Sequence, residues 1–284
     1  MGFPSGIQAS MPLRKINLPA EPSTEQSQST QRDLDRPTAI QIYEQVALNG
    51  RRELARTNTS LAISGLAGGL AMGLTGLSVA IVNAALGDSP GARFIAFLLY
   101  PMGFMTTILG RSQLFTENTL YPVALILDER RHVLSTMRLW GIVFSANVAG
   151  ALVFAIMCAQ TKALQPQALA ALAQLGLDAA HHPVRHIFWS GVVGGWIIAT
   201  VAWLVSASHS ITGSVALIWS LTFIVGLGHF AHCIATSGEI LTAVLNHQLV
   251  ARDYLRWLLP ATLGNIAGGV TLVTLLEYGQ SKLR

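Results

Sequence analysis

The sequence predicts an all-α membrane protein of six transmembrane helices, arranged as an inverted 3+3 repeat, and three observations predict it. Only 11% of its 284 residues are charged against 51% hydrophobic, whereas soluble domains carry about 25% charge. The charges leave uncharged stretches long enough to cross a hydrocarbon core of about 30 Å at 1.5 Å per helical residue. A short pattern, Asn147-Val148-Ala149-Gly150, returns as Asn265-Ile266-Ala267-Gly268, three spans further on. Composition also excludes classes of function. The net charge of +4 is thinly spread and forms no basic stripe, so no nucleic-acid partner is expected. Two cysteines, Cys158 and Cys233, cannot supply a disulfide framework or a four-thiolate zinc site, and no cofactor is implied.

The elements follow from where the charges stop. Residues 1–36 are rich in Ser, Thr, Gln and Pro and are expected to form a disordered cytoplasmic tail, without the apolar core of a signal peptide. Over 37–56, Ala39, Ile42, Tyr43, Val46 and Ala47 recur at helical spacing. They predict an amphipathic cytoplasmic helix along the inner membrane face, with a plain extension of span 1 as the alternative. Residues 57–280 are expected to hold the six-helix transmembrane channel domain. Span 1 is Ser60–Leu86, inside the uncharged run between Arg56 and Asp88. Span 2 covers 94–127, interrupted only by Arg111 and Glu117, and span 3 covers 139–161, closed by Lys162. The 53 uncharged residues from His186 to Gly238 hold span 4 (186–207) and most of span 5 (212–245). Span 6 is Trp257–Leu276. With the N-terminus inside, eight basic residues flank the inner ends of the spans and five the outer ends. This balance favours both termini in the cytoplasm of a multi-pass inner-membrane protein.

The offset between the paired motifs is 265 − 147 = 118. Copies three spans apart lie upside down relative to one another, the pattern of channels and secondary transporters with broken helices at the midplane. Adding 118 to Leu114 gives His232. Both positions sit among polar or ionisable residues inside long apolar spans: Arg111, Thr116 and Glu117 in one, His229, His232 and Glu239 in the other. Such residues are costly in lipid and usually face a pore or protein interior, and irregular backbone is tolerated only there. Spans 2 and 5 are therefore expected to be interrupted helices facing each other across a pore. Arg111, always charged, is expected to pair with Glu117 or Glu239, either as an electropositive element at the pore mouth or as a structural ion pair. An imidazole with an ordinary pKa of about 6.5 exchanges protons near physiological pH, which makes His232 a candidate proton partner for a passing weak acid. His229 lies one turn away, as pore lining or packing; no third ligand accompanies the two histidines, so no metal site is expected. His181, His182, Arg185 and His186 form an outer funnel or a solvated loop.

Three motifs together resemble the formate/nitrite transporter family of small-anion channels over about residues 40–280: Leu114-Phe115-Thr116 in span 2, Phe230-Ala231-His232-Cys233-Ile234-Ala235 in span 5, and Leu259-Pro260-Ala261-Thr262-Leu263-Gly264-Asn265-Ile266-Ala267-Gly268-Gly269 in span 6. The resemblance implies a homo-pentamer in the lipid bilayer, each protomer with its own aquaporin-like pore and with helices 2 and 5 broken. It implies that His232 is the central pore histidine, Thr116 its hydrogen-bonding partner, and Leu114 and Phe115 the cytoplasmic constriction. The substrate implied is a small monovalent anion of formate, nitrite, acetate or hydrosulfide type. The sequence departs from the pattern at Gly195, where an Asn is common, and at Arg111, Gln113, Glu117, Asn118, His229 and Glu239. Asn147 and Asn265 join the candidate pore residues through the repeat. The competing readings are a pore for neutral solutes, a closed membrane scaffold, and an intramembrane enzyme pairing Ser237 with His232 or His229.

Overall fold

The computed structural model describes residues 37–87 and 89–282, together with Gly2. The tail expected over 1–36 lies, apart from Gly2, outside the described residues. The described residues are helical and contain no strand.

Helix α1, Ala39–Leu54, opens with a reciprocal cap in which the Thr38 hydroxyl accepts from the Gln41 amide and the Gln41 side chain accepts from the Thr38 amide. Thr57 caps a new helix, α2, Asn58–Leu86, so α1 is not an extension of span 1. Span 2 is made of α3 (Pro90–Phe97), α4 (Met102–Leu109), a 3₁₀ turn (Glu117–Thr119) and α5 (Tyr121–Glu129). One break was expected and there are two: the additional one ends at Pro101, which has no N–H to return to a helix. Helix α6, Val133–Gln160, starts six residues before the expected span 3. Its Arg138 is held at the end of the span by the carbonyls of Leu54 and Arg56, so a charge that ends an apolar run does not end the helix.

Helix α7, Pro166–Ala180, was not expected; at 15 residues it is about 22 Å long, too short to span. Its buried face, Ala168, Leu172, Ala173, Gly176 and Ala180, packs against α10 and α2. Helix α8 (Val184–Ala207) is span 4. Span 5 is α9 (Ile211–Leu227) followed after a break by α10 (Ala235–Leu245). Span 6 is α11 (Ala251–Gly269), a π turn (Val270–Thr274) and α12 (Leu275–Lys282). Neither α9 nor α10 is long enough to cross a membrane alone.

The two halves use the same joints. The closest helix pairs are α2 with α6 and α8 with α11. A Cβ on Gly69 of α2 would lie 2.0 Å from the Asn147 carbonyl oxygen, and one on Gly195 of α8 would lie 2.3 Å from that of Asn265. Backbone touches backbone at both points, as small residues permit, and Gly195 is a packing glycine beside which an Asn side chain has no room. Helix α1 rests on α5, where a Cβ on Gly50 would lie 2.5 Å from the Tyr121 carbonyl oxygen, and α7 rests on α10, where one on Gly176 would lie 2.4 Å from that of Glu239. Since 121 + 118 = 239, α7 is the counterpart of α1. Each repeat thus consists of three spans and a short helix clasped to its broken span.

Candidate functional site

The site is assembled by two loops, 110–116 between α4 and α5 and 228–234 between α9 and α10. Each half-helix before a loop ends in the same cap. Arg111 (φ 58°) and His229 (φ 51°) take the left-handed conformation. Their amides donate to the carbonyls of Ile108 and Gly226, and the next amides, of Ser112 and Phe230, reach back to Thr107 and Val225. This is the 6→1 and 5→2 closure that ends helices, and the four pairs of positions differ by 118.

Each loop is then held by one asparagine. The Asn147 side-chain oxygen accepts from the Phe115 amide at 2.9 Å, and its NH₂ donates to the carbonyls of Gly65 (2.7 Å) and Gln113 (2.9 Å). Asn265 accepts from the Cys233 amide at 2.9 Å and donates to Gly191 (2.8 Å) and Ala231 (2.9 Å). Ser64 and Ser190 complete the set, their hydroxyls accepting from the amides of Gln113 and Ala231 at 3.1 and 3.0 Å. Asn147 and Asn265 are fully buried, with both amide protons and an oxygen lone pair committed to backbone. Both side chains thus tie the loop backbone to the helix that faces it.

Between the loops, Thr116 Oγ1 and His232 Nε2 lie 2.8 Å apart, both fully buried. The amide of Ala235, the first residue of α10, donates to His232 Nδ1 at 3.0 Å. With Nδ1 an acceptor, Nε2 carries the ring proton and donates it to Thr116, whose own O–H is left free to donate elsewhere. Phe104 meets the ring edge-on at 5.0 Å between centroids. Leu114 and Phe115 are buried, and Phe115 packs against Trp140 and Phe144. Gln113 links its loop to α1 and to the 3₁₀ turn: its NH₂ donates to Glu53 at 2.8 Å and its oxygen accepts from Asn118 at 2.9 Å.

The ion pair expected for Arg111 does not form. Arg111 is exposed at the end of α4, and none of the ion pairs seen among the described residues includes it or either pore-span glutamate. A long side chain at a helix end reaches water more cheaply than it pairs in a low-dielectric interior. Glu117 and Glu239 are buried. His229 packs edge-on against Phe97 at 4.9 Å and lines an open cavity with His182, His186, Asp178, Tyr100, Ala231 and Glu239. His182 and His186 stack at 4.3 Å. Desolvation first, then the neighbouring His186, holds the His182 imidazole below its ordinary pKa, opposed by Asp178. No metal-binding cluster occurs among the described residues. Ser237 does not pair with a histidine: its hydroxyl meets the Cys233 carbonyl at 2.5 Å and the Tyr254 hydroxyl at 2.9 Å.

Sequence reasoning missed Phe104, Ser64 and Ser190. The serines carry a visible signal, because Ser64-Gly65-Leu66-Ala67-Gly68-Gly69 returns as Ser190-Gly191-Val192-Val193-Gly194-Gly195 at an offset of 190 − 64 = 126.

The formate/nitrite transporter family model matches residues 40–279. The chain is 31% identical over 245 residues to inner membrane protein YfdC of Escherichia coli (85% of this chain, 78% of that protein). It is 29% identical over 198 residues to a probable formate transporter of Methanothermobacter thermautotrophicus (63% and 72%). Among solved structures, an FNT family ion channel superposes with a TM-score of 0.76 at 18% identity, covering 84% of this chain and 98% of the other. A pentameric formate channel with formate bound superposes at 0.66 and 17% identity (78% and 96%). With a family match over residues 40–279 and a relative at 31% identity, this integral membrane protein belongs to the formate/nitrite transporter family.

Proposed function

We propose that the protein is a homo-pentameric channel for small monovalent anions of weak acids, of formate, nitrite, acetate or hydrosulfide type, with both termini cytoplasmic. The observation that carries this reading is the hydrogen bond between Thr116 and His232, which joins the two broken helices side chain to side chain. The ring's Nδ1 is held by α10, so its Nε2–H orients Thr116 and leaves the Thr116 O–H as a donor for an oxyanion. The N-terminus of α10 lies at the same point, and its partial positive charge favours an anion there. Crossing as a bare charge is expensive in so dry a passage, so transit as the neutral acid is favoured. For His232 to supply that neutrality it must first give up the Ala235 bond. Leu114 and Phe115 narrow the cytoplasmic side.

The arrangement disfavours an enzyme, since a serine nucleophile needs an aligned base and the Ser237 hydroxyl faces none. The test is uptake of a panel of small anions into proteoliposomes holding the full-length protein. Wild-type uptake of at least one anion is expected, with Thr116→Ala and His232→Asn reducing it at least about tenfold, as loss of a buried positioned donor does. Wild-type uptake of none overturns the reading, and equal, pH-insensitive passage of glycerol favours a neutral-solute pore.

A further inference from the structure

Glu239, with Asp178, lines the cavity beside His229, the outer cavity in the orientation proposed above. Glu239 is 7% exposed, and its carboxyl makes no hydrogen bond or ion pair among the described residues. The fold makes room for it: a Cβ on Gly76 of α2 would lie 2.6 Å from its Cγ and 2.7 Å from its Oε1, and Gly176 clears its backbone. The same cavity is lined by Ala231 and Thr236, the loop residue before His232 and the second residue of α10. A solute entering from the cavity therefore meets Glu239 before the Thr116–His232 pair. The titratable groups around it are Tyr100 of span 2, Asp178 and His182 of α7's end, His186 of α8 and His229 at the second break. Tyr254 of α11 is taken by Ser237, and α2 contributes none.

A bare carboxylate at the neck of an anion path repels the anion and is costly to hold; a carboxylic acid in the same place is a donor aimed into the path. We propose that Glu239 is the outer proton-exchange group of this channel, an inference that rests on the anion-channel reading. An arriving weak-acid anion takes the carboxyl proton, leaving a carboxylate and the neutral acid, HA. The neutral acid passes Thr116 and His232. A proton from outside water, relayed across the histidines and Asp178 of the cavity, restores the carboxyl. One proton crosses with each anion, and the His232 ring keeps its own.

Formate is the probe, with a pH dye inside proteoliposomes of full-length protein. Wild-type uptake is expected to rise as the outside is acidified and to carry a proton per formate. Glu239→Gln, which keeps a donor but has no proton to give, is expected to lose at least about tenfold in uptake at neutral pH and to flatten the pH profile. Glu239→Asp is expected to keep the acid stimulation at a reduced rate. If Glu239→Gln does not assemble, Gly76→Ala decides: the carboxyl is displaced rather than removed, and the profile is expected to shift. Wild-type transport with an unchanged profile in Glu239→Gln, or in Gly76→Ala where that variant decides, overturns the inference alone. Absence of wild-type uptake for formate and for every other anion of the panel overturns the channel reading as well.

Discussion

Replacing Asn147 by alanine removes three hydrogen bonds at one stroke, to Phe115, Gln113 and Gly65. The Gly65 carbonyl keeps its place within α2, so the loss falls mainly on the Phe115 amide and the Gln113 carbonyl, which have only loop around them. Side-chain hydrogen bonds within membrane proteins average about 0.6 kcal/mol, and about 1 kcal/mol in soluble cores. Three such bonds give a destabilisation of about 2–3 kcal/mol. Asn265 makes the same three bonds in the other half, so Asn265→Ala is expected to cost the same within about 0.5 kcal/mol. The assay is reversible unfolding in mixed micelles titrated with denaturing detergent. Trp140 is its reporter, because the indole N–H donates to the Asn118 carbonyl at 2.8 Å and senses the first loop. A cost below about 0.5 kcal/mol for either variant, within the range of ordinary surface substitutions, refutes the assignment of these residues as clamps. So does a large cost for one with none for the other.

Gly69→Ala and Gly195→Ala place a methyl within 2.0 and 2.3 Å of a carbonyl oxygen. Each is expected to cost about 1–3 kcal/mol by overpacking, seen in the same titration. Ser237→Ala is expected to leave anion uptake within about twofold of wild type, the opposite of what a nucleophile requires; abolished uptake with normal assembly contradicts the reading. Glu129, at the end of α5, bonds His132, Arg131 and Arg51, and these hold its carboxyl at about 2 against an ordinary 4.5. A depressed acid stabilises the fold above its ordinary value and loses that contribution as pH falls through the folded one. The gap in thermal midpoint between wild type and Glu129→Gln is therefore expected to be constant above about pH 5 and to close between 4.5 and 2.

How much of this was legible depends on what each residue has to satisfy. Long apolar runs are dictated by the bilayer, so α2 and α8 begin within two residues of their expected starts. Arg138 and Arg252 lie inside helices, and a reading that stops at charges cuts those helices short. Helix α7 was missed because its buried stripe is mostly alanine with one glycine and its length falls short of a span. The histidine and Thr116 were legible through the motifs around them. Arg111 was misjudged because its depth was judged from sequence distance, while the break of the span leaves it exposed at the end of a half-helix. The role of Asn147 and Asn265 was hidden because hydrogen-bond partners are backbone atoms, which carry no sequence signature.

The repeat also shows where the chemistry resides. Positions 118 apart share the caps and the asparagine clamps, and Ser64 and Ser190, 126 apart, share the acceptor role, since both loops need the same backbone groups satisfied at depth. At the centre the halves part: the counterpart of Leu114 is His232, that of Phe115 is Cys233, that of Thr116 is Ile234, and that of Tyr121 is Glu239. One half thus contributes an apolar constriction and a hydroxyl, the other an imidazole and an outer carboxyl. A pore with two identical halves treats both directions alike. Here the one imidazole and the one carboxyl at these four pairs, His232 and Glu239, both come from the second half, and Glu239 lines the cavity beside His229. Exchanging Tyr121 and Glu239 in a double variant is therefore expected to move the acid-sensitive face of transport from outside to inside. Acid stimulation that stays on the outer side in that variant shows that the carboxyl does not set it.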